Sequence, residues 1–561
     1  MDDIRRQSSE LENHLIDEMI AGRITRREFV RRGTVMGMSI PLISLIVAAC
    51  GGANGSGGGS SSTGGGGGGA PKKGGTIKVA IVVPTGAINP VTVGDQGGLC
   101  MLGQVGEFLT IADPTTLQIA GHLADSFTPN ADASEWTFKL KSGVTFQDGS
   151  PMTSKDVVYT MDLLSDSKGG SNALSVFGGV LDKGGTTAVD DATVKFTLLA
   201  PNGNFPYLVS RDNYNAIIIK DGSNPKDFEK DNFPGTGPMK LEKYTTQVGA
   251  SFVRNETYWD AANKAYPARV EFTFYADEPP QIQALQGGTV DCVGQISVSG
   301  GRALLSDPSY TIIDVPSTAH RQVHMRNDKA PFTDKRVRQA MALCMDRPAI
   351  IEALFAGKAA IGNDSPFAAV YPSTDTSVPQ RAKDITKAKQ LLSDAGMANG
   401  FSVTLNTEKA YEIPDYALQI QAGAKEAGIT INILQQSPTV YYGDFTFGGS
   451  PWLDSTMGIT DYAHRSVPNV LLGAPLLSTG TWNSAHFKNP TYDGLVKQYF
   501  AAVDLQSQKS VSGQIETLLL DETPVMFVYF YDFLAATKKT LAGVVITPVG
   551  HVQLEKAGFT A

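Results

Sequence analysis

Two short motifs near the start of the chain could direct export and a covalent modification. Arg26 and Arg27 lie in a stretch, TRREFVR, that is similar to a twin-arginine export signal. An apolar run follows over residues 34–47, and two alanines then precede Cys50, as in a bacterial lipobox. The run is shorter than the ~20 residues that a membrane anchor needs. The pattern predicts a signal peptide over residues 1–49 and a lipid on Cys50.

Residues that could catalyse a reaction or bind a metal form no recognisable group. The chain has no GxSxG elbow, no Walker loop and no HExxH motif. His320 and His324 have the spacing that pairs two ligands on a helix, but the residues between them favour a strand. On a strand the two side chains share a face and lie too far apart for easy chelation. We therefore predict no enzyme activity, no bound metal and no cofactor.

The remaining cysteines are Cys100, Cys292 and Cys344, an odd number without CxxC spacing. Two of them could form a disulfide and leave one free thiol. We predict instead that all three are small buried hydrophobic residues, because a chain of this length can bury a large core without a disulfide.

Size and charge limit the class of protein. Removing 49 of the 561 residues leaves 512, which predicts two or three packed units. The net charge of −9 argues against nucleic-acid binding. Residues 51–70 contain twelve glycines and four serines. This composition predicts a flexible tether over residues 50–73, and its twenty-residue core has an r.m.s. span of about 25 Å.

Strand and helix patterns alternate irregularly from residue 74 to the C-terminus, which predicts an α/β protein. The strongest predicted strands are Thr76–Val83, Trp136–Leu140, Val144–Gly149 and Val525–Phe530. Predicted helices begin at Thr153, where Asp156 completes a capping-box pattern, and span Asp334–Leu343, Asp384–Ala395 and Asp415–Ala427.

Several blocks of sequence point to one family. They are Gly74–Ala80, His122–Phe127, Trp136–Val157, Gly235–Leu241, Arg254–Trp259, Ala330–Ala340 and Asp346–Ile350. In this order they resemble blocks of the solute-binding proteins of peptide and nickel ABC importers, extracellular family 5. The similarity covers roughly residues 74–545.

The resemblance implies a two-lobed periplasmic-binding-protein clamshell, type II-like, in which lobe one carries an extra domain. By analogy, lobe one comprises residues 74–111, 205–325 and 526–561, the extra domain 112–204, and lobe two 326–525. The family also implies a permease and ATPase complex as partner, with the lipid on Cys50 as the attachment to the membrane. We expect a monomer on the extracytoplasmic face of the cell membrane.

The resemblance also suggests where a ligand binds. In oligopeptide binders of this family, an Asp-Tyr pair followed by proline supplies the carboxylate that holds the peptide α-ammonium group. Asp461 and Tyr462 align with that pair, although the proline comes later, at Pro468, than in the peptide pattern. Asp461 could instead cap a loop. Arg465 could hold a ligand carboxylate or neutralise Asp461.

Four further residues are candidates for ligand contact. Trp482 could pack on a ligand while Asn483 reads a peptide group. Asn89 and Asp95 follow the first strand, where the family usually lines the cleft.

Three functions stand after the sequence alone. The first is a lipid-anchored peptide receptor of an ABC importer, which the Asp461 and Arg465 charges favour. The second is the same receptor for an oligosaccharide, an opine or a metal chelate. The third is an envelope sensor or chaperone-like binding protein.

Overall fold

The computed structural model describes residues 70–230, 233–444 and 446–560. Arg26, Arg27 and Cys50 lie outside the described residues, as does nearly all of the tether, so the predictions made for them stay predictions. Within the described part of the chain, no helix is both long and apolar enough to cross a membrane.

The strands are numbered in chain order. They are β1 Thr76–Val82, β2 Thr110–Ala112, β3 Ile119–Gly121, β4 Ala124–Pro129, β5 Glu135–Leu140, β6 Thr186–Asp190, β7 Thr193–Thr197, β8 Met239–Thr245, β9 Gly249–Arg254, β10 Arg269–Tyr275, β11 Cys292–Ile296, β12 Tyr310–Val315, β13 His320–Met325, β14 Ala359–Ile361, β15 Ser402–Glu408, β16 Thr430–Gln436, β17 Met457–Tyr462, β18 Val525–Tyr531, β19 Phe533–Lys538, β20 Leu541–Ala542, β21 Val545–Ile546, β22 Val552–Gln553 and β23 Gly558–Phe559.

The α-helices connect and cover these strands. They are Gln96–Val105, Ser154–Ser165, Leu174–Phe177, Phe205–Leu208, Glu278–Gln286, Arg302–Leu305, Lys335–Leu343, Arg347–Phe355, Ile385–Asp394, Ile413–Glu426, Pro438–Tyr442, Pro451–Asp454, Asn469–Gly473, Pro490–Ala501 and Leu505–Glu522.

Two large sheets organise the fold. Sheet one has the strand order β12-β19-β11-β1-β10-β9-β8, and sheet two has the order β14-β18-β13-β17-β15-β16. A separate four-stranded sheet, β4-β5-β7-β6, lies within the segment expected to form the extra domain. Each large sheet has its own hydrophobic core, because its central strands are buried on both faces and need helices to cover them. This is the mixed α/β, two-lobed architecture that the resemblance implies.

The chain passes between the two large sheets at residues 316–319 and again at Asp532. The expected boundaries at 325/326 and 525/526 are therefore displaced. Strands β13 and β18, expected in lobe one, pair with each other near the middle of sheet two. Both strands are buried almost throughout. The apolar run of β18 indicates a central strand but does not show which sheet it joins, and the polar residues of β13 indicate neither.

The predicted helix starts agree with the structure where a capping residue determines the start. The amide of Thr153 donates to the Asp156 carboxylate at 2.7 Å, and the helix begins at Ser154. Asp334 and Asp384 cap the two helices predicted to start there. The predicted strand Val144–Gly149 is wrong, since that segment makes only an isolated bridge from Thr145 to Pro151.

Cys100, Cys292 and Cys344 are free and buried, as predicted. Burial raises the pKa of the Cys100 and Cys344 thiols to about 12, so both stay protonated at neutral pH.

Candidate functional site

The loop after β17, residues 463–469, lies at the junction of the two lobes. The backbone amide of Thr318, in the first crossing segment, donates to Nδ1 of His464 at 3.1 Å. The Thr318 hydroxyl donates to the Arg465 carbonyl at 2.9 Å and accepts from the Arg465 amide at 2.8 Å. The hydroxyl of Tyr371 donates to the same carbonyl at 2.7 Å. These bonds fix the loop against the hinge.

The same loop also meets the lobe-one side of the molecule. Val467 packs into the core of sheet one. The side-chain amide of Asn204 donates to Oδ1 of Asn469 at 2.8 Å. Burial raises the pKa of the Asp212 carboxyl, and a hydrogen bond from Ser466 acts in the opposite direction. One loop of lobe two therefore contacts the hinge and the opposing lobe.

Arg465 is a largely buried cation in this loop. Its guanidinium donates to the neighbouring His464 carbonyl at 2.9 Å. Among the described residues it has no carboxylate at ion-pair distance, unlike buried Arg321 and Arg347. Burial lowers the pKa of Arg465, and Tyr214 from lobe one is the first of the groups that oppose this shift. A buried guanidinium without a carboxylate partner is suited to binding an anion.

A cluster of charged side chains lies on β13, β17 and the segment leading into the helix Ile413–Glu426. Asp461 stands directly opposite Arg321 in the β13–β17 ladder and forms an ion pair with it. Nε of Arg321 lies 2.9 Å from Oε1 of Glu412, and its Nη1 donates to the Tyr531 hydroxyl at 2.9 Å. The Arg321 side chain is only 3% exposed, whereas those of Asp461 and Glu412 are 28% and 19% exposed.

A third carboxylate makes this cluster acidic overall. Glu408 is buried at the end of β15 and accepts a hydrogen bond from the Tyr442 hydroxyl at 2.6 Å. Burial raises the pKa of Glu408, and the charge of Asp461 adds to the rise. Burial also raises the pKa of Asp461, against the attraction of Arg321. Three carboxylates thus share one guanidinium, and a further cation would reduce their mutual repulsion.

Residues 118–465 match the family model described as bacterial extracellular solute-binding proteins, family 5 Middle. The chain belongs to this family.

Relatives of the family 5 chain include two small-peptide binders. The dipeptide-binding protein DppE of Bacillus subtilis is 27% identical over 474 residues, which cover 78% of this chain and 83% of DppE. The glutathione-binding protein GsiB of Escherichia coli is 24% identical over 452 residues, covering 79% and 86%. Among solved structures, HbpA2 from Haemophilus parasuis superposes with a TM-score of 0.76 at 20% identity, covering 87% and 100%.

The structure brings together four of the seven ligand-contact candidates that the family resemblance indicated. Asp461, Tyr462 and Arg465 lie on β17 and the loop that follows it, and the Tyr462 ring centroid lies 6.1 Å from that of Trp482. Asp461 is part of a strand and pairs with Arg321, so it neither caps a loop nor relies on Arg465 for neutralisation.

The other three candidates make local structural contacts. The side-chain amide of Asn483 donates to the carbonyls of Leu477 and Phe487, so both of its N–H groups are used. Oδ1 of Asn89 accepts from the amide of Val91 in a tight turn.

Asp95 caps the helix Gln96–Val105 by accepting from the amide of Gly98 at 2.9 Å. Its charge also reaches the cleft, since it adds to the burial that raises the pKa of Tyr214, and Arg465 acts against this shift. Asp95 of lobe one and Arg465 of lobe two therefore act on the pKa of Tyr214 in opposite directions.

Arg321, Glu408 and Glu412 were missed by sequence reasoning. The signal for Arg321 was present, because a charged residue inside the strand HRQVHM must find a partner if the strand is buried. His320 and His324 lie on β13, as the residues between them predicted. The described residues contain no group of three or more side chains arranged to hold a metal ion.

Proposed function

We propose that this protein is the extracytoplasmic receptor of an ABC importer and that it captures short peptides between its lobes. One observation carries the proposal: residues 461–465 place an acidic cluster and an unpaired buried arginine at the same junction. A free peptide carries an ammonium group at one end and a carboxylate at the other. The small-peptide ligands named for DppE and GsiB support this assignment.

The acidic cluster would bind the peptide ammonium group. Asp461 and Glu412 are partly exposed, so a ligand can reach their oxygens. The raised pKa of Asp461 records the cost of holding several carboxylates in a partly buried site. An ammonium group would lower that cost and gain charge-assisted hydrogen bonds, each contributing about 1.5–3 kcal/mol.

Arg465 would bind the peptide carboxylate and couple binding to closure. Its backbone is fixed to Thr318 in the crossing segment, and Tyr214 of lobe one acts on the pKa of its guanidinium. A ligand held by groups from both lobes stabilises the closed arrangement over the open one. The permease then needs to recognise only the closed form.

Blocked peptides test each end separately. The full chain is titrated by calorimetry with a panel of alanine di- and tripeptides and their N-acetylated and C-amidated forms. We expect Asp461→Asn to weaken binding of free-amine peptides by about 10- to 100-fold and to leave N-acetylated peptides unaffected. Arg465→Gln should weaken binding of free carboxylates by a similar factor and leave amides unaffected.

Arg302→Gln is the matched control, because Arg302 is an exposed arginine in lobe one. It should bind every peptide as the natural chain does. The proposal is wrong if both site variants keep full affinity for unblocked peptides. Native mass spectrometry of the purified chain distinguishes the alternatives, since a single co-purified non-peptide mass would favour a sugar, an opine or a chelate.

We also propose that the chain is exported through Arg26 and Arg27 and anchored by a lipid on Cys50. The support is the sequence pattern alone. The double variant Arg26→Lys, Arg27→Lys should remain in the cytoplasm. Cys50→Ser should be exported but lost from the membrane fraction. Membrane retention of the Cys50 variant would refute the anchor.

A further inference from the structure

The face of sheet two opposite the Arg321–Asp461 pair carries a row of polar side chains. Neighbouring residues of a strand point to opposite faces, so His320 and Gln322 share the face that Arg321 does not occupy. In the β13–β17 register, Gln322 lies opposite Thr460, and His320 lies opposite Tyr462. We call the side chains of Gln322, Thr460 and Tyr462 the sheet-two polar patch.

The polar patch is buried, and two of its three side chains lack partners. Gln322 is 1% exposed, and neither atom of its side-chain amide makes a hydrogen bond to the described residues. The hydroxyl of Tyr462 is also buried without a partner in the described part of the chain, whereas the Thr460 hydroxyl interacts with the Tyr441 hydroxyl. Buried polar groups are almost always hydrogen-bonded, and leaving them unpaired costs free energy. The unpaired amide of Gln322 and the unpaired hydroxyl of Tyr462, on one face of the sheet, indicate that something else supplies their bonds.

The surroundings of the patch are neutral and aromatic. The imidazole of His320 stacks on the Tyr462 ring at 5.4 Å and lies 4.6 Å from the ring of Phe527. Burial lowers the pKa of His320 and of His464 to about 3, so both are uncharged at neutral pH. Arg465 is the one described cation whose charge acts on the Tyr462 hydroxyl.

We propose that the sheet-two polar patch is a subsite for a neutral side chain of the bound peptide, specifically an amide such as that of glutamine or asparagine. The inference rests on the proposed peptide-receptor function. An amide can donate to and accept from the Gln322 amide and also reach the Thr460 and Tyr462 hydroxyls. An apolar side chain would leave the Gln322 amide and the Tyr462 hydroxyl unpaired. Tyr462 follows Asp461 directly in the chain, and its side chain lies on the opposite face of sheet two.

Tripeptide competition tests the subsite. The full chain is incubated with pools of alanine tripeptides that carry glutamine, leucine or glutamate at each position in turn, and native mass spectrometry measures the retained fractions. At one position we expect glutamine to be retained about tenfold or more over leucine and over glutamate. Gln322→Leu should reduce the glutamine-to-leucine ratio to about one, and Thr460→Val should reduce it in part.

Thermal unfolding without ligand distinguishes a ligand-binding amide from a structural one. Gln322→Leu should unfold at a higher temperature than the natural chain, because it removes an unpaired buried amide at nearly constant volume. Gln421→Leu is the matched control. Its amide donates to the Ile431 carbonyl at 2.7 Å, so this variant should unfold at a lower temperature and keep the glutamine preference.

The outcomes separate this inference from the proposed function. Retention of tripeptides without preference at any position would overturn the subsite and leave the peptide receptor standing. A lower unfolding temperature for Gln322→Leu would also overturn it, since the amide would then have a partner within the protein. Retention of no tripeptide would overturn the subsite, and the proposed function would be overturned as well only if no dipeptide were retained.

Discussion

Replacing Arg321 by methionine should destabilise lobe two more strongly as the pH rises. Arg321 is buried between Asp461 and Glu412, and its nitrogens lie at ion-pair distance from both. Methionine keeps most of the side-chain length and removes the charge. The variant leaves the carboxylates of Asp461, Glu412 and Glu408 together without their shared cation.

The expected loss follows from burial and distance. At the 2.9 Å that separates Nε of Arg321 from Glu412, the Coulomb attraction is about 6 kcal/mol at an effective dielectric constant of about 20. The cost of burying the guanidinium offsets part of that attraction. Removing one partner of a buried ion pair typically costs about 3–5 kcal/mol. For a lobe of this size, that loss lowers the unfolding temperature by on the order of 10 °C.

The raised pKa values of the carboxylates determine how the stability deficit changes with pH. The pKa values of Asp461 and Glu408 are already raised above their ordinary values in the folded chain. Folding therefore favours their protonated forms, and their contribution to stability is lost as the pH rises from the ordinary pKa through the raised one. Without Arg321 both pKa values should rise further, which widens this window. The deficit should be small near pH 4 and largest near pH 8.

Calorimetric unfolding of the full chain from pH 4 to pH 8 measures the deficit. Arg302→Met, at an exposed arginine, is the control and should follow the natural chain at every pH. A deficit that is the same at every pH would contradict the electrostatic argument. A deficit that shrinks towards pH 8 would show a pH dependence opposite to the one predicted.

Three further predictions concern stability. Burial raises the pKa of Glu516 to about 8, so the stability that its protonated form contributes is lost between about pH 4.5 and 8. At pH 9, Glu516→Gln should therefore unfold at a higher temperature than the natural chain. Asp364 is fully buried between two arginines, and Asp364→Asn should cost about 3–5 kcal/mol, measured by urea unfolding. A methyl group on Gly458 would lie 2.7 Å from the Tyr441 hydroxyl, so Gly458→Ala should cost about 1–3 kcal/mol in the same assay.

Each of these predictions has a matched control at an open position. Glu352→Gln and Asp415→Asn change exposed carboxylates, and Gly86→Ala adds a methyl group with nothing within 4 Å. All three should leave stability nearly unchanged. A pH-independent effect of Glu516→Gln, or losses for Asp364→Asn and Gly458→Ala no larger than those of their controls, would contradict the structural reasoning.

The sequence alone determined the features that depend on interactions between residues close together in the chain. Thr153 with Asp156, Asp334 and Asp384 set helix starts because a cap bonds to amides two or three residues away. The buried strand Thr76–Val82 followed from its β-branched run. The ordered family blocks predicted the two-lobed α/β class. The length of the chain and the absence of CxxC spacing together predicted that the cysteines would not pair.

Only the tertiary structure decided which residues share a site. Arg321 and Asp461 are 140 residues apart in the chain and meet because β13 and β17 pair in one register. The same register places Gln322 beside Thr460 on the opposite face. The apolar run Val525–Phe530 predicted a buried strand, but burial alone does not choose between two sheets. Charge pairing and sheet membership depend on contacts between distant segments. A sequence pattern indicates that a buried charge needs a partner, but it does not indicate which residue that partner is.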